Sequence, residues 1–530
     1  MVAKRTSGRL CIIDGSRYAD IIFHTIVFIK KNTLGNYITF PDLLTWLPIL
    51  ASIFCFTLGN EKNAKSIAVL FSILIFGVSI ASLFYVNDPK YLNYNNVNYM
   101  WLKYLGANYF IGIDGLGSML TLLTATAFPL ILIGTSTSTF VKPARFYGLM
   151  MLTQAGLMGV FMALDALTFY FYWELALIPV YFLSSIWGGE KRIQATFKFF
   201  VYTFAGSLLM LIGIIYVYLH AGSRMFDDGT IVAHSFSLNA FYQAQLSATE
   251  QNWLFALFFI AFAIKMPIFP FHTWQPNAYD QAPTPVTMVM SGIMVKMGLF
   301  AVLRWLIPIF PEATLHHTNL IITLSIIGVV YASCVAMMQD NIKKLVAYSS
   351  IAHIGLMCAA IFAMNEISIQ GVMIQMFNHG INIIGMWLVV DIIERKTGIK
   401  KISELSGIAN TAPVLTILMI VIALANIALP LTNAFAGEFL MFSGLYNYNK
   451  WFAAVAGIGI IISAVYTLNM IQKVFYGSVN GVTAEIKDIQ WNEKLVLFII
   501  VGIIFFIGVY PQPLIDLTKE FVTQFFVQIK

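Results

Sequence analysis

AFAIKMPIFPFHTWQP, residues 261–276, begins as a helix suited to hydrocarbon and then breaks its own pattern. Lys265 stands alone in an apolar run, and Pro267, Pro270 and Pro276 follow it. Each proline removes a backbone donor and crowds the preceding turn, so one continuous helix cannot form. At membrane depth such a break is tolerated only where protein or a wet cavity surrounds it. The stretch therefore predicts a bundle of membrane helices whose interior can hold a broken one.

The rest of the chain agrees. Of 530 residues, 59% are hydrophobic and 11% charged, whereas a soluble domain carries about a quarter charged residues. A span needs about twenty apolar residues. Fourteen such stretches are expected, near 38–59, 66–86, 115–139, 146–164, 166–187, 197–219, 252–274, 284–307, 317–338, 344–364, 368–393, 411–446, 451–476 and 492–511. They are too long and continuous for barrel strands, so the fold class is an all-α polytopic membrane protein. Loops after odd-numbered spans hold sixteen Lys and Arg, and the opposite loops with the tail, Arg304 included, hold seven. That asymmetry places the first set in the cytoplasm and the C-terminus outside.

Residues 1–37 fit this order poorly. Their apolar run, Ile21 to Ile29, is too short to span and lacks a signal peptide's cleavage pattern. They read as an atypical extension, either interfacial or absent from the mature chain.

The four cysteines stand singly and form no ligand run. With no Gly-rich nucleotide fingerprint and no basic–aromatic soluble segment, no redox cofactor, nucleotide, metal or nucleic acid is expected here.

What remains is charge in the wrong solvent. Glu174, Lys265, Lys296 and Glu438 fall inside expected spans, with His353 and His379 as companions. A charge at mid-bilayer costs roughly 2.5–3.5 kcal/mol on insertion scales, so such groups pair, face the interior or line a water path. One reading is a static ion pair, for example Glu174 with Lys265, that fixes helix register. The other, preferred here, is a chain of proton carriers: burial and a nearby carboxylate pull on a lysine in opposite directions and leave it able to load and release. A second interruption, ALANIALPLTNAFAGEF (423–439), sets Pro430 and a Thr432–Asn433 step ahead of Glu438. Paired breaks suggest two inverted five-helix repeats, about 145–307 and 315–477. Residues 38–144 would precede them, and 490–530 would form a final helix and short tail.

FYFYWELALIPVYFL (169–183), the run from AFAIKMP through MVKMG, KKLVAYSSIAHIG and NAFAGEFL together resemble the antiporter-like membrane subunits of respiratory complex I, continuously from about 115 to 480. The resemblance implies proton translocation coupled to quinone reduction in other subunits, which would hold the NADH, flavin, iron–sulfur and quinone sites. It carries roles to Glu174 and Lys265 as a coupled pair, Lys296 as the central lysine, His353 and His379 as connecting relay, and Glu438 as the terminal carboxylate. A glutamate at 438 favours the subunit M, or chain 4, branch, since the L and N types usually carry lysine there. Asn277 stands where the family often has aspartate, so that loop is given no proton role. The tail is too short for the lateral helix of the L type. Neighbours of the L and N types, a lipid bilayer and a bacterial inner membrane rather than an organellar one are implied. Alternatives are a subunit of a multi-subunit sodium/proton antiporter or of a membrane-bound hydrogenase, a haem b held between His353 and His379, and a passive scaffold.

Overall fold

The computed structural model describes residues 38–60, 62–85, 95–222, 224–225, 231–232 and 234–529. The expectation about residues 1–37 lies outside them. Helices stand at all the expected positions. In chain order they are α1 Phe40–Leu58, α2 Ala64–Leu83, α3 Gly115–Gly134, α4 Pro143–Met162, α5 Ala166–Trp187 and α6 Arg192–His220. The first broken region is α7 Ala248–Lys265 and α8 Gln275–Gln281. There follow α9 Thr284–Ile309, α10 Pro311–Met337, α11 Ile342–Phe362 and α12 Glu366–Thr397. The second broken region is α13 Pro413–Asn426 and α14 Asn433–Tyr448, before α15 Lys450–Phe475, α16 Trp491–Val509 and α17 Gln512–Gln528. Eleven of these are single helices long and apolar enough to cross a membrane.

The ends are set by short polar side chains. Thr39 and Ser247 form capping boxes with Asp42 and Glu250, and the side chains of Asp114, Asp165, Asn341, Asn365 and Asn449 accept from first-turn amides. The apolar windows of α9 and α12 are wholly buried, whereas those of α2, α15 and α16 bury a third or less. The bundle therefore turns its most apolar surfaces outward and shields α9, α11 and α12, which carry the buried cations and histidines.

Both expected breaks are present: the span at 252–274 ends at Lys265, and the one at 411–446 divides after Asn426. Three features depart from the sequence reading. An antiparallel hairpin, β1 Asn96–Leu102 and β2 Ala107–Gly112, precedes α3. It is fastened to the start of α5 by Leu164 N–H donating to Phe110 O and Asn108 N–H to Asp165. The short tail is itself an amphipathic helix, α17. Arg304, counted above with the outside loops, lies within α9 and is 8% exposed. Its Nη2 meets both carboxylate oxygens of Asp114 at 2.6 and 2.5 Å, and its guanidinium lies 5.1 Å from the Phe521 ring of α17. A buried arginine persists because that carboxylate and those rings replace water.

Candidate functional site

Lys265 is the last residue of α7. Its Nζ has no hydrogen-bond partner and sits 5.3 Å from the Trp173 ring of α5. Beyond it Pro267 and Pro270 forbid helical pairing, and the Ile268 amide reaches back five residues to Ala263 O. The Ile264 carbonyl released by that shift accepts from Trp274 Nε1 at 2.9 Å. The break is thus repaired by an indole rather than left open. A cation at a helix C-terminus also faces the negative end of the backbone dipole.

Glu174 lies on α5 beside Trp173. It forms no ion pair with Lys265, although its charge acts on that lysine through space, and its Oε1 has no hydrogen-bond partner. The static Glu174–Lys265 pair is therefore not what the fold contains.

Lys296 is fully buried in α9 between two wider π turns, Met290–Met294 and Val302–Leu306. In the first, Val295 N–H donates five residues back to Met290 O, which leaves the Ser291 carbonyl turned to accept from Lys296 Nζ at 3.0 Å. Lys296 Nζ is also 2.8 Å from His379 Nδ1 of α12. The helices can come this close because position 380 is glycine: a Cβ there would lie 2.9 Å from the Gly292 carbonyl.

The row continues with one gap, at His353 Nε2, which has no hydrogen-bond partner. His379 Nε2 is 3.3 Å from Ser350 Oγ, and the His379 and His353 ring centres are 5.6 Å apart. His353 Nδ1 lies 3.2 Å from Glu438 Oε1, which also accepts from Gln375 Nε2 at 3.2 Å. Helical spacing explains the alignment. Gln375 and His379 are four apart on α12, and Ser350 and His353 three apart on α11, so each pair shares a face. Both ring nitrogens of His379 are engaged, by Lys296 and Ser350.

Glu438 is placed by the second break. Ala428 and Leu431 hold left-handed φ angles of 56° and 71° around Pro430, a conformation that costs non-glycine residues about a kcal/mol or more each. The strain is held by amides. Asn382 and Asn433 exchange two 3.0 Å hydrogen bonds, and Asn378 Nδ2 donates to Asn433 O at 2.7 Å. Beside Glu438 and His353 lies a cavity of about 20 Å³, also lined by Ser463, enough for about one water. From there Ser463 Oγ, Tyr466 Oη and Ser349 Oγ are linked at 3.0 and 2.9 Å, and Asn426 Nδ2 donates to Ser349 at 3.2 Å.

Of the six expected residues, four line up in one row, Lys296 bonded to His379 and His353 to Glu438, with the two imidazoles 5.6 Å apart between centres. Glu174 and Lys265 form a separate pair, not bonded to each other. Sequence reasoning noted Asn433 only as part of the second break, and missed Gln375, Ser350, Asn382 and Tyr466. A polar residue four before His379 and an asparagine directly after the Pro430 break were the available signals. Among the described residues no group of three His, Cys, Asp or Glu side chains is arranged to hold a metal ion.

Outside the spans, the lysine-rich face carries its own network. Lys343 Nζ pairs with Glu394 at 3.0 Å, Lys400 bridges Glu394 and Asp280 at 3.3 and 3.6 Å, and Asn341 donates to Asp280 at 3.0 Å. Burial alone would raise the Asp280 carboxyl, but Lys400 with the Asn341 and Gln281 amides holds it below its ordinary value of 3.8.

The profile of a family described as "NADH:quinone oxidoreductase/Mrp antiporter, TM" matches residues 163–463. NADH-quinone oxidoreductase subunit M of Rhodobacter capsulatus is 34% identical over 487 residues, covering 90% of this chain and 94% of that one. The subunit M of Rickettsia prowazekii (strain Madrid E) is 34% identical over 484 residues, covering 90% and 96%. Among solved structures, a chain of respiratory complex I from Thermus thermophilus superposes with a TM-score of 0.82 at 28% identity, covering 91% of this chain and 99% of that one.

Proposed function

This chain belongs to the NADH:quinone oxidoreductase/Mrp antiporter family, and from that premise we propose that its buried ionisable row is a proton path in the membrane arm of a complex I. The chain is an antiporter-like, multi-pass subunit of the M, or chain 4, type. Quinone reduction and its cofactors belong to partner subunits, with L- and N-type subunits as membrane neighbours. The membrane is a bacterial inner membrane, with the lysine-rich loops in the cytoplasm and the C-terminus outside. The two breaks mark corresponding places in two inverted repeats, about 145–307 and 315–477.

The observation that carries the reading is the alignment Lys296–His379–His353–Glu438, bonded at both ends and open at one step, where His353 Nε2 has no partner. An ammonium at Lys296 can only donate, so His379 Nδ1 accepts and its Nε2–H faces Ser350. A proton arriving at Nδ1 releases the one on Nε2, and the imidazole passes charge without moving. Ser350, or one water, bridges to His353, whose Nδ1–H then faces the Glu438 carboxylate. Each transfer leaves the imidazole in its other tautomer, so a ring turn or a proton exchange between its nitrogens must reset it before the next proton arrives. Glu174 stands upstream: its charge state biases Lys265 through space, with no bond between them to break first.

The test is proton pumping per quinone reduced in vesicles holding the assembled complex. Replacing Lys296 by methionine must lower pumping while the complex still assembles. An assembled complex with full pumping would overturn the path.

A further inference from the structure

At the lysine-rich face a pocket of about 720 Å³ opens between the α5–α6 loop, α8 and the start of α11. We propose that it binds the phosphate headgroup of an anionic phospholipid. Four lysines, Lys191, Lys198, Lys344 and Lys400, line it against two carboxylates, Glu190 and Asp280. Pairing does not remove that excess of two, since Asp280 is matched by Lys400. Asp280 is already held by Asn341, Gln281 and Lys400, and Lys198 donates to the Thr273 carbonyl. Lys191 and Lys344 have no ion-pair partner among the described residues.

Three further observations point to the same ligand. The 29-residue helix α6 starts here with no side-chain cap, and although the Arg192 N–H is taken by the Gly189 carbonyl, the positive end of the helix dipole favours an anion placed there. The wall is built rather than loose: Gly189 N–H donates to Gln281 O at 2.7 Å and Lys191 N–H to Gln281 Oε1 at 2.9 Å. Finally, the helix that presents Gln194 and Lys198 to the pocket presents Ile193 and Phe197 beside them, each 63% exposed, with Ile186 54% exposed nearby. An acidic head joined to hydrocarbon tails satisfies both surfaces, whereas free phosphate would use only one. Basic pockets between membrane helices bind such headgroups on the cytoplasmic side.

The proposal rests on the membrane-spanning reading and not on the proton path, so its readout is lipid retention rather than pumping. Native mass spectrometry of the assembled complex, supplied with phosphatidylglycerol or phosphatidylcholine, would compare wild type with the double variant Lys191→Gln, Lys344→Gln. Retention of phosphatidylglycerol is expected to weaken roughly 25-fold, a factor of about five for each lysine, with phosphatidylcholine unaffected. Equal phosphatidylglycerol retention in both proteins, or displacement of the lipid by millimolar inorganic phosphate, would overturn the proposal. Should the variant not assemble, a photoactivatable phosphatidylglycerol on the wild-type complex decides. Adducts within 188–198 or 341–344 support the site, and adducts only elsewhere refute it.

Discussion

Glu438 of α14 and His353 of α11 face each other across 3.2 Å, Oε1 to Nδ1, with both side chains buried. The carboxylate and the imidazole come from different helices, and one of those helices begins just after a break. The charge at the end of the row is therefore set by how α13 and α14 are joined, not by α11 alone.

Glu438→Gln keeps a side chain of the same shape between Gln375 and His353 but cannot ionise. Quinone-coupled turnover should fall by about tenfold, the equivalent of ~1.4 kcal/mol at the barrier, with assembly unchanged. Glu438→Lys restores an ionisable group and should recover part of the loss. Steady-state turnover in membranes with matched complex content measures both.

Lys296→Met and His379→Ala should differ in severity. Methionine at 296 removes the donor that feeds the row. Alanine at 379 vacates an imidazole's volume between Lys296 and Ser350, where water has polar partners and can bridge. Pumping is expected to survive His379→Ala at a reduced level and to be lost in Lys296→Met. The ratio of protons pumped to quinone reduced separates the two.

Glu174 and Lys265 act on each other through space rather than by a bond. Each single change, Glu174→Gln or Lys265→Met, should depress pumping without harming assembly. Once Lys265 is gone, Glu174→Gln should have little further effect. A double-mutant cycle on pumping rate would show that coupling as non-additivity, and simple additivity would argue for independent roles.

Arg304→Leu should act on stability rather than on the proton path. It leaves Asp114 without its cation and removes the guanidinium from Phe521, so α17 loses a point of attachment. Because Asp114 is 40% exposed, the cost is reduced by solvent to about 1–2 kcal/mol. A lower thermal midpoint and earlier proteolysis within 512–528 are expected, with pumping by the surviving complex preserved.

Asp280 gives the lysine-rich face an acid limit. Its carboxyl is lowered in the fold, so its contribution is complete above the ordinary 3.8 and is lost as pH falls through the lowered value. Limited proteolysis of the 396–403 segment should accelerate in that acid window. In Asp280→Asn it should already be faster at neutral pH and lack the acid step.

The helices and all six ionisable positions were legible in the sequence, because apolar length and a misplaced charge are local signals. Their partners were not. His379 lies 83 residues from Lys296 and Glu438 lies 85 from His353, and nothing local says which helices touch. The hairpin was hidden because NVNYMWL lacks a two-residue alternation and only Gly106, at φ 63°, marks its turn. Arg304 was misplaced because counting cations by loop treats one near a helix end as soluble, while its partner Asp114 is 190 residues away. The helical tail was missed because one amphipathic stripe on a polar segment is too weak a signal to distinguish from a frayed end.

The widened turns on either side of Lys296 have a consequence for how this helix can change over evolutionary time. Each makes room for about one more residue than a regular turn would hold, so α9 contains slack that a deletion could remove without shortening its crossing. Loss of a single residue between 290 and 294 would restore a regular turn and leave Lys296 facing its imidazole, but the carbonyl that the wide turn releases to the ammonium would return to the helix ladder. A second deletion, with no slack left to absorb it, would turn the ammonium about the helix axis and separate it from the histidine.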